Sequence, residues 1–127
     1  CSEVGEMLAK MHIATADFNG QRKNQMSLEK WNEHFAATKG QADSVKGGMK
    51  DEVESALEYL NKSWPKPNDL PYGVIHADLF PDNVFFQGEK LSGLLDFYFS
   101  CNDFYAYDFA ITLNAWCFEC SELHKLG

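Results

Sequence analysis

An α+β fold, mostly helical and interrupted by a β-hairpin, is the class this sequence predicts. Three observations point to it. From Glu3 to Leu60, apolar residues recur at helical spacing between capping and stop signals. After Pro65, Pro67 and Pro71 the pattern shortens to that of strands, with a turn signal at Gln87-Gly88-Glu89-Lys90. A last apolar run, Tyr107–Glu119, returns to helical character. Helices, then a hairpin insert, then helix make a layered α+β arrangement.

Taken in order, Glu3–Ala16 predicts a helix whose apolar face is Val4, Met7, Leu8, Met11 and Ile13, with good helix formers between. Phe18-Asn19-Gly20 stops it, and Gln21–Gln25 is a polar loop. Ser27 caps a second helix carrying Leu28, Trp31 and Phe35, closed by Lys39-Gly40. Asp43–Leu60 reads as a third helix, with Gly47-Gly48 as a point of interruption and Val53, Ala56, Leu57 and Leu60 on one face. The prolines make Trp64–Pro71 an extended linker. Tyr72–Ile75 is a short strand and His76–Asp82 a loop, since Pro81 blocks a helix. Val84–Phe86 and Leu91–Leu95 form the hairpin, and Tyr98–Tyr105 is an aromatic loop.

The composition narrows the classes. A hydrophobic content of 45% with 14% aromatic belongs to a folded chain. A net charge of −8 argues against a nucleic-acid grip, which needs clustered Lys and Arg to replace counterions. No apolar run is long enough to span a bilayer, and no signal-peptide pattern opens the chain. The four cysteines make no zinc pattern, because Cys117 and Cys120 have no second pair at ligand spacing. They read as reduced, partly buried thiols of a cytoplasmic protein.

The most informative stretch is His76-Ala77-Asp78-Leu79-Phe80-Pro81-Asp82-Asn83, followed by Leu94-Leu95-Asp96-Phe97. His-x-Asp-x-x-x-x-Asn before a strand that ends in Asp is the spacing that sets a catalytic carboxylate and two magnesium ligands around ATP phosphates. A hairpin turning at Gly88-Glu89-Lys90 brings the start of its first strand beside the end of its second, so Asn83 and Asp96 meet at the open end. Magnesium takes hard oxygen ligands and leaves other positions to water and phosphate. One carboxamide and one carboxylate suit it. Asp78 enters the same end and is placed to orient an acceptor hydroxyl and take its proton. His76 is expected to anchor the loop rather than act as the base. Asp82 reads as a cap on the Pro81 turn. Asp108 either caps the last helix or accepts hydrogen bonds from the loop backbone.

These residues carry a resemblance. Gly73–Phe86 resembles the catalytic loop of the aminoglycoside phosphotransferase and choline kinase superfamily, which shares the protein kinase-like fold. Leu91–Asp103 and Tyr107–Glu119 look more narrowly like the bacterial homoserine kinase branch, and Leu8-Ala-Lys-Met-His12 resembles the family's first C-lobe helix. The likeness is strong from Gly73 to Glu119 and faint over Gly20–Pro71. It implies transfer of the ATP γ-phosphate to the hydroxyl of L-homoserine, a step toward threonine, with ATP and Mg²⁺ as cofactors. Asp78 matches the catalytic aspartate and His76 the loop histidine. Asn83 and Asp96 match the magnesium ligands, and Asp108 a supporting aspartate. Phe97-Tyr98 departs from the Asp-Phe-Gly of protein kinases, so no activation-loop switch is implied.

Residues 1–127 then read as a partial C-terminal catalytic lobe. No glycine-rich strand-turn-strand or phosphate-pairing Lys can be assigned, so the N-terminal ATP-clamping lobe is expected upstream, and this segment alone is expected to be inactive. The motif handles phosphate and metal only. An aminoglycoside, choline-like or sugar hydroxyl therefore remains an alternative acceptor. A non-catalytic, self-associating module is the alternative of another class. His12, His34 and His124 have no second ligand at metal spacing and read as surface or core histidines. Phe97, Tyr98, Phe99, Phe104 and Tyr105 read either as a pocket wall or as core beneath the site. Asn102 and Asp103 read as a loop turn, with an ammonium-binding role as the other possibility.

Overall fold

The computed structural model describes residues 2–117. The chain divides into two compact units, residues 1–24 with 70–127 and residues 25–69.

The first unit opens with α1 (Ser2–Ala14), which buries Val4 and Leu8. These one-turn neighbours share a core with Leu79 and Val84, flanked by Met11, Leu91, Leu94 and Trp116. Ile13 was expected on this face but is 76% exposed, because it falls outside the i, i+4, i+7 stripe of Val4, Leu8 and Met11. Strand β1 (Tyr72–Ile75) pairs antiparallel with β4 (Cys101–Phe104), Tyr72 opposite Phe104 and Ile75 opposite Cys101. Strands β2 (Val84–Gln87) and β3 (Lys90–Leu94) form the hairpin. Gly88, with φ +65°, fills its first turn position, where a side chain would be strained. A bulge between Phe85 and Phe86 shifts the register, so Val84 faces Leu94 and Phe86 faces Leu91. Helix α5 (Tyr105–Cys117) completes the described unit, and the expected end of this helix at Glu119 lies outside the described residues.

Tyr98–Tyr105 is not a loop. A 3-10 turn at Phe97–Phe99 leads into β4, all four residues of which are buried, and α5 begins at Tyr105. Asn and Asp have little strand preference, so Asn102-Asp103 reads as a turn in isolation. In the fold β4 is held on both edges, by β1 and by the backbone of Arg22, whose carbonyl accepts from Asn102 N at 2.8 Å. Arg22 N donates back to Asn102 Oδ1 at 2.7 Å. Asp103 accepts from Asn24 Nδ2 at 2.6 Å and from Phe104 N at 2.7 Å, so its carboxylate is engaged within the fold.

The second unit contains α2 (Leu28–Thr38), a 3-10 turn, α3 (Ala42–Val45) and α4 (Met49–Ser63). Ser27 caps α2 as expected, accepting from Lys30 N. The single helix expected over Asp43–Leu60 is two, because Gly48 adopts φ +82° and reverses the chain. Asp43 then receives Lys50 N in the first turn of α4. Leu28 and Leu57 are buried, Trp31 meets Trp64 edge to face, and the amides of Asn32 and Asn61 bond each other. After Trp64 the segment is not fully extended. Asp69 closes a turn onto Lys66 through both backbone and side chain.

Candidate active site

The loop from His76 to Asn83 is tied down from four directions. Leu79 is completely buried among Val4, Leu8 and Val84. Its carbonyl accepts from Trp116 Nε1 at 2.8 Å. Asp108, fully buried on α5, accepts from His76 N at 2.9 Å and from Ala77 N at 2.8 Å. His76, also fully buried, sets Nε2 against the carbonyl of Leu95 at 2.9 Å, which ties the loop to the residue before Asp96. A carbonyl only accepts, so Nε2 carries a proton, and Nδ1 is buried without a partner among the described residues. These ties hold Ala77 at φ +65° and leave Asp78 on the half-buried face of the loop. A non-glycine residue in that region costs about 1 kcal/mol, and the two hydrogen bonds to Asp108 offset it.

Asp78 and Asn83 meet directly. Asn83 Nδ2 donates to the Asp78 carbonyl at 2.7 Å and to Asp78 Oδ2 at 3.0 Å. Both partners are acceptors, so the amide orientation follows from chemistry, and Asn83 Oδ1 is left without a partner among the described residues. The hairpin register places Asn83 opposite Leu95, whose N–H donates to the Asn83 carbonyl at 2.9 Å. Asp96 is the next residue, exposed, with φ +55°, and its Oδ1 accepts from Tyr98 N at 3.2 Å. Asp96 thus stands at the hairpin's open end near Asn83, without a hydrogen bond to Asn83 or Asp78. Asp82 is exposed in the 3-10 turn Pro81–Asn83. Among the described residues no group of three or more His, Cys, Asp and Glu gathers as a metal cage. A carboxylate and a carboxamide with unused oxygens suit a cation that takes its other ligands from water and phosphate.

Two contributors were not recognised from the sequence. His12 on α1 sets Nε2 2.8 Å from Asp108 Oδ2 and stacks on Tyr105 with ring centroids 4.2 Å apart. Trp116 holds the loop carbonyl of Leu79. The signal for His12 was its place one turn beyond Leu8 on the buried edge of α1. Nothing local marks Trp116 as a donor to a residue so distant in sequence. The aromatic cluster divides. Phe97, Tyr98 and Phe99 are exposed, whereas Phe104 is buried. Cys101 is a buried free thiol that burial, and then the Asp103 charge, push up to about 11.

A carboxylate on a clamped loop, an amide bonded to it and a second carboxylate across a hairpin end are thus gathered at one place. The chain belongs to the phosphotransferase enzyme family, whose model matches residues 1–124. Among its relatives, the homoserine kinase of Rhizobium meliloti (strain 1021) is 56% identical over 119 residues, covering 94% of this chain and 36% of the relative. The homoserine kinases of Rhodospirillum rubrum and of Bradyrhizobium sp. (strain ORS 278) are 54% and 57% identical over the same coverage. The chain spans about a third of the length of the curated relatives it matches.

Proposed function

We propose that residues 1–127 form a partial C-terminal catalytic lobe of an ATP-dependent phosphotransferase whose acceptor is the hydroxyl of L-homoserine. The product is O-phospho-L-homoserine, and the setting is cytoplasmic. The observation that carries this reading is the Asn83 amide bonded through both contacts to Asp78, which leaves Asn83 Oδ1 and the Asp96 carboxylate as hard oxygen donors at one hairpin end. The names of the relatives favour homoserine over an aminoglycoside or choline-like alcohol.

Asp78 orients the acceptor hydroxyl and receives its proton as that oxygen bonds the γ-phosphorus of ATP and the bond to ADP breaks. Asn83 and Asp96 would hold Mg²⁺, which when bound neutralises charge on the phosphate oxygens. His76 and Asp108 keep the loop in place and do not meet the substrate, since both are fully buried. The residues that clamp the nucleotide are assigned to the part of the protein that the longer relatives carry outside this segment.

The test is ADP release by the full-length protein carrying this segment, with L-homoserine, choline and an aminoglycoside as acceptors. Homoserine-dependent ADP release that Asp78→Asn abolishes supports the reading. Turnover of another alcohol while homoserine stays inert removes the acceptor assignment, and full activity in Asp78→Asn removes the catalytic one.

A further inference from the structure

The chain has a single arginine, Arg22, against 19 acidic residues. In so acidic a chain a lone guanidinium would be expected to pair with a carboxylate. None of the described residues supplies one. Arg22 Nη1 instead donates to the backbone carbonyls of Tyr98 at 2.5 Å and Ser100 at 3.3 Å, and the guanidinium lies 5.7 Å from the centre of the Tyr98 ring. Its backbone is locked onto β4 through Asn102 on both sides. The group is therefore pre-oriented by neutral partners. Its Nε–Nη2 edge, the fork that matches a carboxylate bidentately, makes no hydrogen bond among the described residues.

This arginine borders a cavity of about 320 Å³ lined also by Phe18, Val74, Ser100, Cys101 and Asn102. Two links run from its lining residue Ser100 toward the proposed reacting groups. Ser100 Oγ donates to the carbonyl of His76, two residues before Asp78. The 3-10 turn Phe97–Phe99 links Asp96 to Ser100. Three residues of such a turn span roughly 6 Å, the scale of an amino acid that carries its hydroxyl two carbons beyond Cα.

We infer that Arg22 and this cavity form the subsite that recognises the carboxylate of an amino-acid acceptor. The inference rests on the phosphotransferase reading for its choice of acceptor and adds the group that separates an amino acid from a simple alcohol. Arg22 is a specificity residue here, and Tyr98 and Ser100 hold it through their carbonyls. A site built to pair a carboxylate discriminates strongly against an analogue without one, because its charged donors are then left unmatched.

The experiment compares L-homoserine with 3-aminopropan-1-ol, the same amino alcohol without the carboxylate, in the full-length protein carrying this segment. Arg22→Gln is expected to raise KM for L-homoserine roughly 10- to 100-fold with little change in kcat. It is also expected to bring the KM ratio of the two alcohols close to unity, and Arg22→Lys should recover part of the loss. A homoserine KM within about twofold of wild type in Arg22→Gln overturns the inference. A second readout does not need turnover. In this ¹⁵N-labelled chain the only arginine gives one Nε–H resonance, which L-homoserine should shift saturably and 3-aminopropan-1-ol should not. An equal response to both overturns the inference. Loss of all phosphoryl transfer would sink the kinase reading, while the guanidinium response would still judge the carboxylate subsite.

Discussion

Replacing Asp108 should loosen the catalytic loop more than any other single change outside it. Its carboxylate is fully buried and accepts three hydrogen bonds, from His76 N at 2.9 Å, Ala77 N at 2.8 Å and His12 Nε2 at 2.8 Å. Asp108→Ala leaves two backbone N–H groups without their acceptor, one buried and one part-buried. Each such orphan costs about 1–3 kcal/mol, so the expected loss of stability is about 3–5 kcal/mol. Asp108→Asn is the sharper test, because it keeps the shape. The amide offers one oxygen and one NH₂. With the oxygen at the Oδ2 position it still serves His76 N–H and His12, but the NH₂ faces the Ala77 N–H. Turned the other way, the NH₂ faces both His76 N–H and His12 Nε2. The first orientation opposes donor to donor once and is preferred, for a loss of about 1.5–3 kcal/mol. Urea unfolding of the chain, followed by tryptophan fluorescence, measures both variants. A loss below about 0.5 kcal/mol in Asp108→Asn would refute the claim that this carboxylate anchors the loop.

Three further outcomes follow from the same geometry. Asp96→Ala in the full-length protein should abolish magnesium-dependent turnover, and near-normal activity at saturating Mg²⁺ would remove Asp96 from the metal site. Cys101 should resist iodoacetamide at pH 8 in the folded chain while the exposed Cys117 reacts, as read by peptide mass spectrometry. Its thiol is raised to about 11 from 9.0, so the neutral form stabilises the fold fully below pH 9. That contribution, about 2–3 kcal/mol, is lost as pH climbs from 9 through 11, and Cys101→Ala should flatten the alkaline limb of the stability curve. Gly73→Ala should cost about 1–3 kcal/mol, because a Cβ there would overlap the Tyr105 hydroxyl and push that ring off His12. An unchanged urea midpoint would show that Tyr105 yields freely.

Much of this layout was legible because it depends on local chemistry. Ser27 as a cap, Gly88 in the hairpin turn, the strand at Tyr72–Ile75 and the positions of Asp78, Asn83 and Asp96 around one hairpin all follow from residue type and spacing. The break at Gly47-Gly48 was visible as a weak point, but its depth needed the left-handed φ of Gly48. Asn102-Asp103 misled because strand preference is set by partners on both edges, and Arg22, one of those partners, lies far away in the chain.

By itself, the sequence determined that Asp78, Asn83 and Asp96, the residues proposed for phosphate and metal chemistry, lie on one loop and one hairpin. Antiparallel pairing of a short hairpin leaves little other choice. Tertiary structure alone decided what holds that loop. The carboxylate of Asp108 reaches the His76 and Ala77 amides only after α5 packs on β1, and His12 joins it only after α1 packs on α5. It also decided that, among the described residues, Arg22 meets no carboxylate but the carbonyls of Tyr98 and Ser100. Such contacts join residues tens of positions apart, so no local pattern in the chain could announce them.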